Sequence, residues 1–147
     1  FSVMASLNGI GLRGYQMLVG RSLGMAIYAK KQIDKLDCCK VLNMRSLGPS
    51  VVWWVLPKGR DAKQIYEDFV QGKVTRKDYT RYFIEVQRLF EKRKAVMDPT
   101  KDARLSFTMS MGYLPGGVPI PAWKAVFFNP KTDYEVIRQI IRSIEEL

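Results

Sequence analysis

Residues 105–113, Leu-Ser-Phe-Thr-Met-Ser-Met-Gly-Tyr, alternate apolar and small side chains without a break. A period of two puts Leu105, Phe107, Met109, Met111 and Tyr113 on one face and Ser106, Thr108, Ser110 and Gly112 on the other. That is the pattern of a half-buried antiparallel strand. Residues 113–121 form a Gly/Pro-rich connection, too long for a tight hairpin and stiffened by Pro115, Pro119 and Pro121. Residues 123–130, Trp-Lys-Ala-Val-Phe-Phe-Asn-Pro, supply the return strand and a turn. Thr132 and Glu135 then make a capping box for a last helix. Its Val136, Ile140 and Ile144, flanked by Ile137 and Ile141, form a stripe that must be covered by the sheet. A chain ending this way has to build an antiparallel sheet with a helix laid on it.

The upstream sequence supplies the rest of that layer. Residues 9–36 read as a long helix in which Leu12, Val19, Ala26 and Ile33 recur every seven residues, with Leu23 and Ile27 on the same side. Its glycines mark a break or a close backbone approach, and Gly20-x-x-x-Gly24 could meet a neighbouring helix. A short strand is expected over 39–43, a turn at Gly48-Pro49, and a strand over 51–56. Val51-Val-Trp-Trp-Val-Leu56 does not alternate, as expected for a strand covered on both faces, with Trp53 and Trp54 pointing to opposite sides. Asp61 caps a helix with Ile65, Tyr66, Phe69 and Val70 as its stripe, and Gly72 closes it. Thr75 and Asp78 cap a longer helix whose stripe is Tyr79, Tyr82, Phe83, Val86, Leu89 and Phe90. The order predicts an α+β fold, a small antiparallel sheet covered by helices. Residues 1–36 form a helical lead, and 37–147 form the α+β domain.

Composition narrows the function. A chain of 147 residues can bury one core. Phe1 is not an initiator Met, so the numbering is expected to begin inside a gene product or after processing. No signal peptide is read, and Arg21 interrupts the most apolar early segment, so neither a membrane span nor a membrane partner is expected. Cys38 and Cys39 are adjacent, which gives neither a disulfide framework nor zinc spacing, and they are read as reduced thiols of a cytoplasmic protein. The net charge is +10, and residues 73–104 carry ten Lys/Arg against five Asp/Glu. Such a face could follow a phosphate backbone. Its aromatics, however, recur at core spacing instead of being displayed for stacking, so no nucleic acid is expected as partner. The chain has no histidine, which removes the usual base of Ser and Cys nucleophiles.

Two stretches carry a resemblance. Gly9-Ile-Gly-Leu-Arg-Gly-Tyr-Gln16, followed by a helix, is similar to the segment that joins large and small domains in the pyridoxal-phosphate-dependent group II amino-acid decarboxylases. Trp123-Lys-Ala-Val-Phe-Phe-Asn-Pro-Lys-Thr-Asp133 resembles the last strand, Asn-Pro turn and acid-capped final helix of that family. With the element order, the likeness spans nearly the whole chain and implies the carboxy-terminal small domain of a fold-type-I enzyme. It also implies a PLP-binding large domain as partner, an amino-acid substrate, a homodimer, and CO2 release as the reaction. That family holds its cofactor with a His-Lys pair and stacks another His on the ring. This histidine-free chain is therefore expected to be inactive alone, with no pyridoxal 5'-phosphate bound to it and no catalytic residue of its own.

One position carries over. Several members place an Arg in the strand before the Asn-Pro turn, within reach of a substrate carboxylate, and here Lys124 stands there. An ammonium attracts a carboxylate as a point charge but lacks the bidentate fork of a guanidinium. The plainer alternative is a polar-face residue between core-facing Trp123 and Ala125. The 113–121 loop is a second candidate for overhanging a cleft. Two other readings stay open: another fold-type-I enzyme such as an aminotransferase or a lyase, and a stand-alone basic module for nucleic acid or an acidic protein.

Overall fold

The computed structural model describes residues 2–96, 105–108, 113–114, 118–129 and 132–146. Its first helix, α1 (Ser2–Ile33), is broken at Gly11, whose φ of 68° and ψ of 168° are not helical. Only glycine takes that backbone without strain, which explains its place there. The helix therefore starts earlier and ends sooner than the 9–36 span expected from the heptad pattern. Burial also corrects the pattern: Met25, Ala26, Ala29 and Ile33 are in the core, whereas Leu12 and Ile27 are exposed. Gly20 and Gly24 are exposed, and a side chain on either would meet nothing within 4 Å, so no helix packs on that motif among the described residues.

Next come β1 (Cys39–Val41) and β2 (Ser50–Val55), which pair antiparallel with Cys39 opposite Val55 and Val41 opposite Trp53. The first is shorter than the expected 39–43, and Asn43 extends the ladder with its side chain. Its Oδ1 accepts from Val52 N at 3.0 Å and its Nδ2 donates to Ser50 O at 2.9 Å. From Val51 to Val55 every residue of β2 is buried, as its unbroken apolar run requires.

Two helices follow, α2 (Ala62–Val70) and α3 (Arg76–Val96). Asp61 caps α2, accepting from Lys63 N and Gln64 N at 3.0 Å each, and Gly72 ends the turn with φ 69°. Val70, expected in the stripe, is 41% exposed, so Ile65, Tyr66 and Phe69 carry the contact. At the head of α3, Thr75 Oγ1 accepts from Asp78 N at 3.2 Å and donates to the Asp78 carboxylate at 2.6 Å. The expected α3 stripe is intact, with Tyr82, Val86, Leu89 and Phe90 all buried.

The last quarter holds β3 (Ser106–Thr108), β4 (Tyr113–Leu114), β5 (Val118–Pro119), β6 (Ala122–Val126) and α4 (Tyr134–Glu145). Antiparallel pairing gives a four-stranded sheet in the order β1-β2-β6-β3, with β6 taking β2 on one side and β3 on the other. Residues 109–112 of the expected strand lie outside the described residues. The 113–121 connection is not a plain loop, because β4 and β5 pair as a small ladder of their own. Asp133, not Thr132, caps α4: its carboxylate accepts from Glu135 N at 3.0 Å and Val136 N at 3.2 Å. Glu135 is then free of the expected capping box and pairs with Arg138 and Arg142. A carboxylate at the cap combines hydrogen bonding with its charge on the helix dipole, so the acid takes the place next to the threonine. Ile137, Ile140 and Ile144 of α4 are buried, and α4 also packs on α1.

Aromatic rings bind these elements together. Trp53 lies 6.2 Å from Trp123, Trp123 is 5.6 Å from Phe90, and Phe90 is 5.5 Å from Phe107. The path continues through Phe83, Tyr79 and Phe69 to Trp54. Most of these pairs are edge-on, the favoured arrangement of ring quadrupoles. Trp123 Nε1 also donates to Val86 O at 3.3 Å, seating β6 on α3. The aromatics of the basic stretch are therefore spent on the core.

Candidate functional site

Alternation along β6 sorts its residues cleanly. Trp123 and Ala125 are buried, and Lys124 between them is half-buried. Register fixes what shares its face: Lys124 stands opposite Val52 of β2 and Ser106 of β3. Ser106 Oγ donates to the Lys124 carbonyl at 3.4 Å, which holds the backbone and leaves the ammonium unengaged. Among the described residues that ammonium has no hydrogen-bond or ion-pair partner, so it stands available to an anion.

Pairing brings a second cation to the same face, which the sequence alone did not single out. Lys40 of β1 is opposite Trp54, two residues along β2 from Val52, so it shares the Lys124 side of the sheet. Its Nζ lies 5.7 Å from the Tyr66 ring centroid. The face therefore carries Lys40, Lys124 and Ser106 around the fully buried Val52 and Trp54 of β2, with Tyr66 and Phe69 of α2 packed on Trp54 and the exposed Val126 at the far end of β6.

Ser22 and Arg21 of α1 meet the segment after β6. Arg21 donates to Thr132 O at 3.1 Å, and a cavity of about 40 Å³ lies between Leu18, Ser22, Met25, Phe127 and Asn129. That is room for a water molecule, not a substrate. Lys30, also on α1, is buried and donates to Ser46 O at 2.6 Å; burial pushes its pKa below the ordinary lysine value. It ties the helix to the turn between β1 and β2, and it has no opening to a ligand.

The chain offers no histidine to stack on a pyridoxal ring, and Lys124 lies in register with Val52 and Ser106. Among the described residues no cluster of three or more His, Cys, Asp or Glu could hold a metal ion. No described helix is long and apolar enough to cross a membrane.

Comparison with solved structures places this architecture. The apo form of mouse CSAD matches 98% of the chain with a TM-score of 0.67 and 14% sequence identity. Oryza sativa TDC, solved with PLP and tryptamine, matches 95% of it with a TM-score of 0.59 and 15% identity. Both are group II pyridoxal-phosphate decarboxylases, and the likeness is one of fold. The chain spans about a quarter of either protein, 26% of the mouse chain and 24% of the rice chain. No protein-family profile and no curated protein matches it. The small antiparallel sheet with helices against it, expected from the sequence, thus has the α+β fold of the matching part of those two proteins.

Proposed function

We propose that this chain is the carboxy-terminal small-domain part of a pyridoxal-phosphate-dependent amino-acid decarboxylase, a carboxy-lyase releasing CO2 from an amino acid. The observation that carries the reading is the fold match along 98% of the chain to a protein of which the chain spans only 26%. The remainder of such an enzyme is a large domain. In this reading it binds the cofactor, and residues 1–36 lead from it into the 37–147 domain. The homodimer belongs to the same reading. Ile10, Leu12, Tyr15 and Met17 on the first half of α1 are exposed apolar side chains, which contact with that large domain would cover. Alone, the chain is inactive.

Within this enzyme Lys124 is the substrate-binding residue. Its unpaired, half-buried ammonium attracts a substrate carboxylate more strongly than a fully solvated one could, because part of the screening water is excluded. The test is CO2 release by the full-length gene product, supplied with pyridoxal phosphate, across aromatic, acidic and basic amino acids. CO2 from one class is the expected result. Transamination products without CO2 would move the chain to another fold-type-I activity. For the preferred substrate, Lys124→Ala should raise KM about tenfold, the loss of one charge-assisted hydrogen bond. Lys124→Arg should restore most of it. An unchanged KM in Lys124→Ala would remove Lys124 from the site while leaving the activity standing.

A further inference from the structure

Cys38 and Cys39 take no part in the decarboxylase reading, yet the fold treats them very differently. They sit where α1 turns into β1, and the backbone there is fixed on every side. Cys39 N donates to Leu36 O at 3.0 Å, Leu56 N to Cys38 O at 2.9 Å, and Ala62 N to Asp37 O at 2.8 Å. Cys39 is fully buried, whereas half-buried Cys38 opens onto a groove of about 460 Å³. The charged groups around that groove are Asp37 beside Cys38, Lys58 and Arg60 after β2, Asp61 at the head of α2, and Glu145 at the end of α4. The Asp61 carboxylate is committed to capping α2, which leaves two cations and two anions facing the groove.

The two sulfurs are 3.9 Å apart, a hydrogen-bond distance for thiols. The hydrogen bond with Cys38 and burial in the core both push the Cys39 pKa up, so Cys39 is the thiol that stays protonated and can donate. Receiving that bond lowers the Cys38 pKa to about 7, against the opposing effects of partial burial and of the Asp37 and Glu145 carboxylates. A half-buried thiol with a lowered pKa, lining a mixed-charge groove, is the arrangement of a reactive cysteine, not of a structural one.

We propose that Cys38 is a thiol–disulfide exchange site for a low-molecular-weight zwitterionic disulfide. Lys58 and Arg60 meet the carboxylates of the incoming molecule, and Asp37 and Glu145 its ammonium groups. The Cys38 thiolate attacks one sulfur of the disulfide. A protein–ligand S–S bond forms, the original S–S bond breaks, and the departing thiolate takes a proton from solvent. Cys38 is oxidised and the small disulfide is reduced. Cys39 is the positioning residue: it holds the thiolate but does not resolve the mixed disulfide, because it is buried and because a bridge between neighbouring cysteines is strained.

The experiment is incubation of the full chain with oxidised glutathione at neutral pH, followed by intact mass and peptide mapping. One glutathione on Cys38 and none on Cys39 is expected. Iodoacetamide alkylation across pH should show a midpoint near 7 for Cys38. In Cys39→Ala the midpoint should rise toward the ordinary thiol value of about 8.5. The thiolate fraction at pH 7 then falls steeply, but the more basic thiolate is also the better nucleophile, so exchange slows only about threefold. Cys39→Ser keeps both the donor and the fold and should retain the low midpoint, which separates hydrogen bonding from packing. The inference is overturned by no adduct, by an adduct on Cys39, by loss of two hydrogens to an internal bridge, or by a wild-type midpoint at the ordinary thiol value.

Discussion

The two halves of α1 have similar apolar content and opposite fates. Past Ser22, Met25, Ala26, Ala29 and Ile33 are buried against the sheet and α4, and even Lys30 is drawn into the core. Before Arg21, Ile10, Leu12, Tyr15 and Met17 are exposed, with Leu12 at 67% against 0% for Ile33. The heptad Leu12, Val19, Ala26, Ile33 runs through both halves, so periodicity alone does not say which half is covered. What differs is the neighbour. The second half has β1, β2 and α4 beside it, and the first half extends beyond them. A helical segment with exposed apolar side chains and no cover of its own is suited to cover supplied by another domain, as the proposed large domain would do.

Stability measurements test that contrast most sharply. Ile33→Ala should destabilise the chain by about 2–5 kcal/mol in urea unfolding, because it opens a cavity under the sheet. Leu12→Ala should change it by less than about 0.5 kcal/mol. A comparable loss at both positions would mean that the first half is covered in the isolated chain, and the contrast would fail. A smaller effect comes from the helix against which α1 packs. Tyr134 of α4 stands edge-on to Tyr28 of α1 at 4.9 Å, just inside the Asp133 cap. Asp133→Ala should cost about 1 kcal/mol and Thr132→Ala far less, read by the same unfolding curves. The reverse order would restore the capping box expected from the sequence.

The finest distinction within the buried half is Lys30. Its folded pKa lies below the ordinary value of about 10.4, so in the window between the two the unfolded chain binds more protons. Stability contributed through this group must therefore rise as pH increases through that window. At lower pH its buried charge is a cost. The difference in unfolding free energy between wild type and Lys30→Met should change with pH in the alkaline range and stay flat below it. Taking the difference removes the opposite trend from Tyr66 and Tyr79, whose pKa values burial raises. A flat difference throughout would show that Lys30 is hydrated, not buried.

Much of the fold could be read from local pattern. The unbroken Val51-to-Leu56 run, the Asp61 and Thr75 caps and the stripes of α3 and α4 each satisfy a strong local rule, and the structure keeps them. Alternation likewise put Lys124 on the face opposite Trp123 and Ala125. The site was less legible. Lys40 joins the Lys124 face only because β1 pairs with β2 in one register, and a three-residue strand carries too little pattern to announce its register. Thr132 and Asp133 are both capping residues, and where the helix starts decided between them.

By itself the sequence determined the element order, the antiparallel hairpin with its helix, the absence of histidine and the alternation around Lys124, because side-chain periodicity and residue chemistry are local properties. Tertiary structure decided which half of α1 is buried and which strand faces share their cations. It also decided that one of two adjacent thiols opens to a groove while the other is sealed in the core. Those outcomes depend on contacts between segments far apart in the chain, where burial and pairing free energy, not local propensity, select the arrangement.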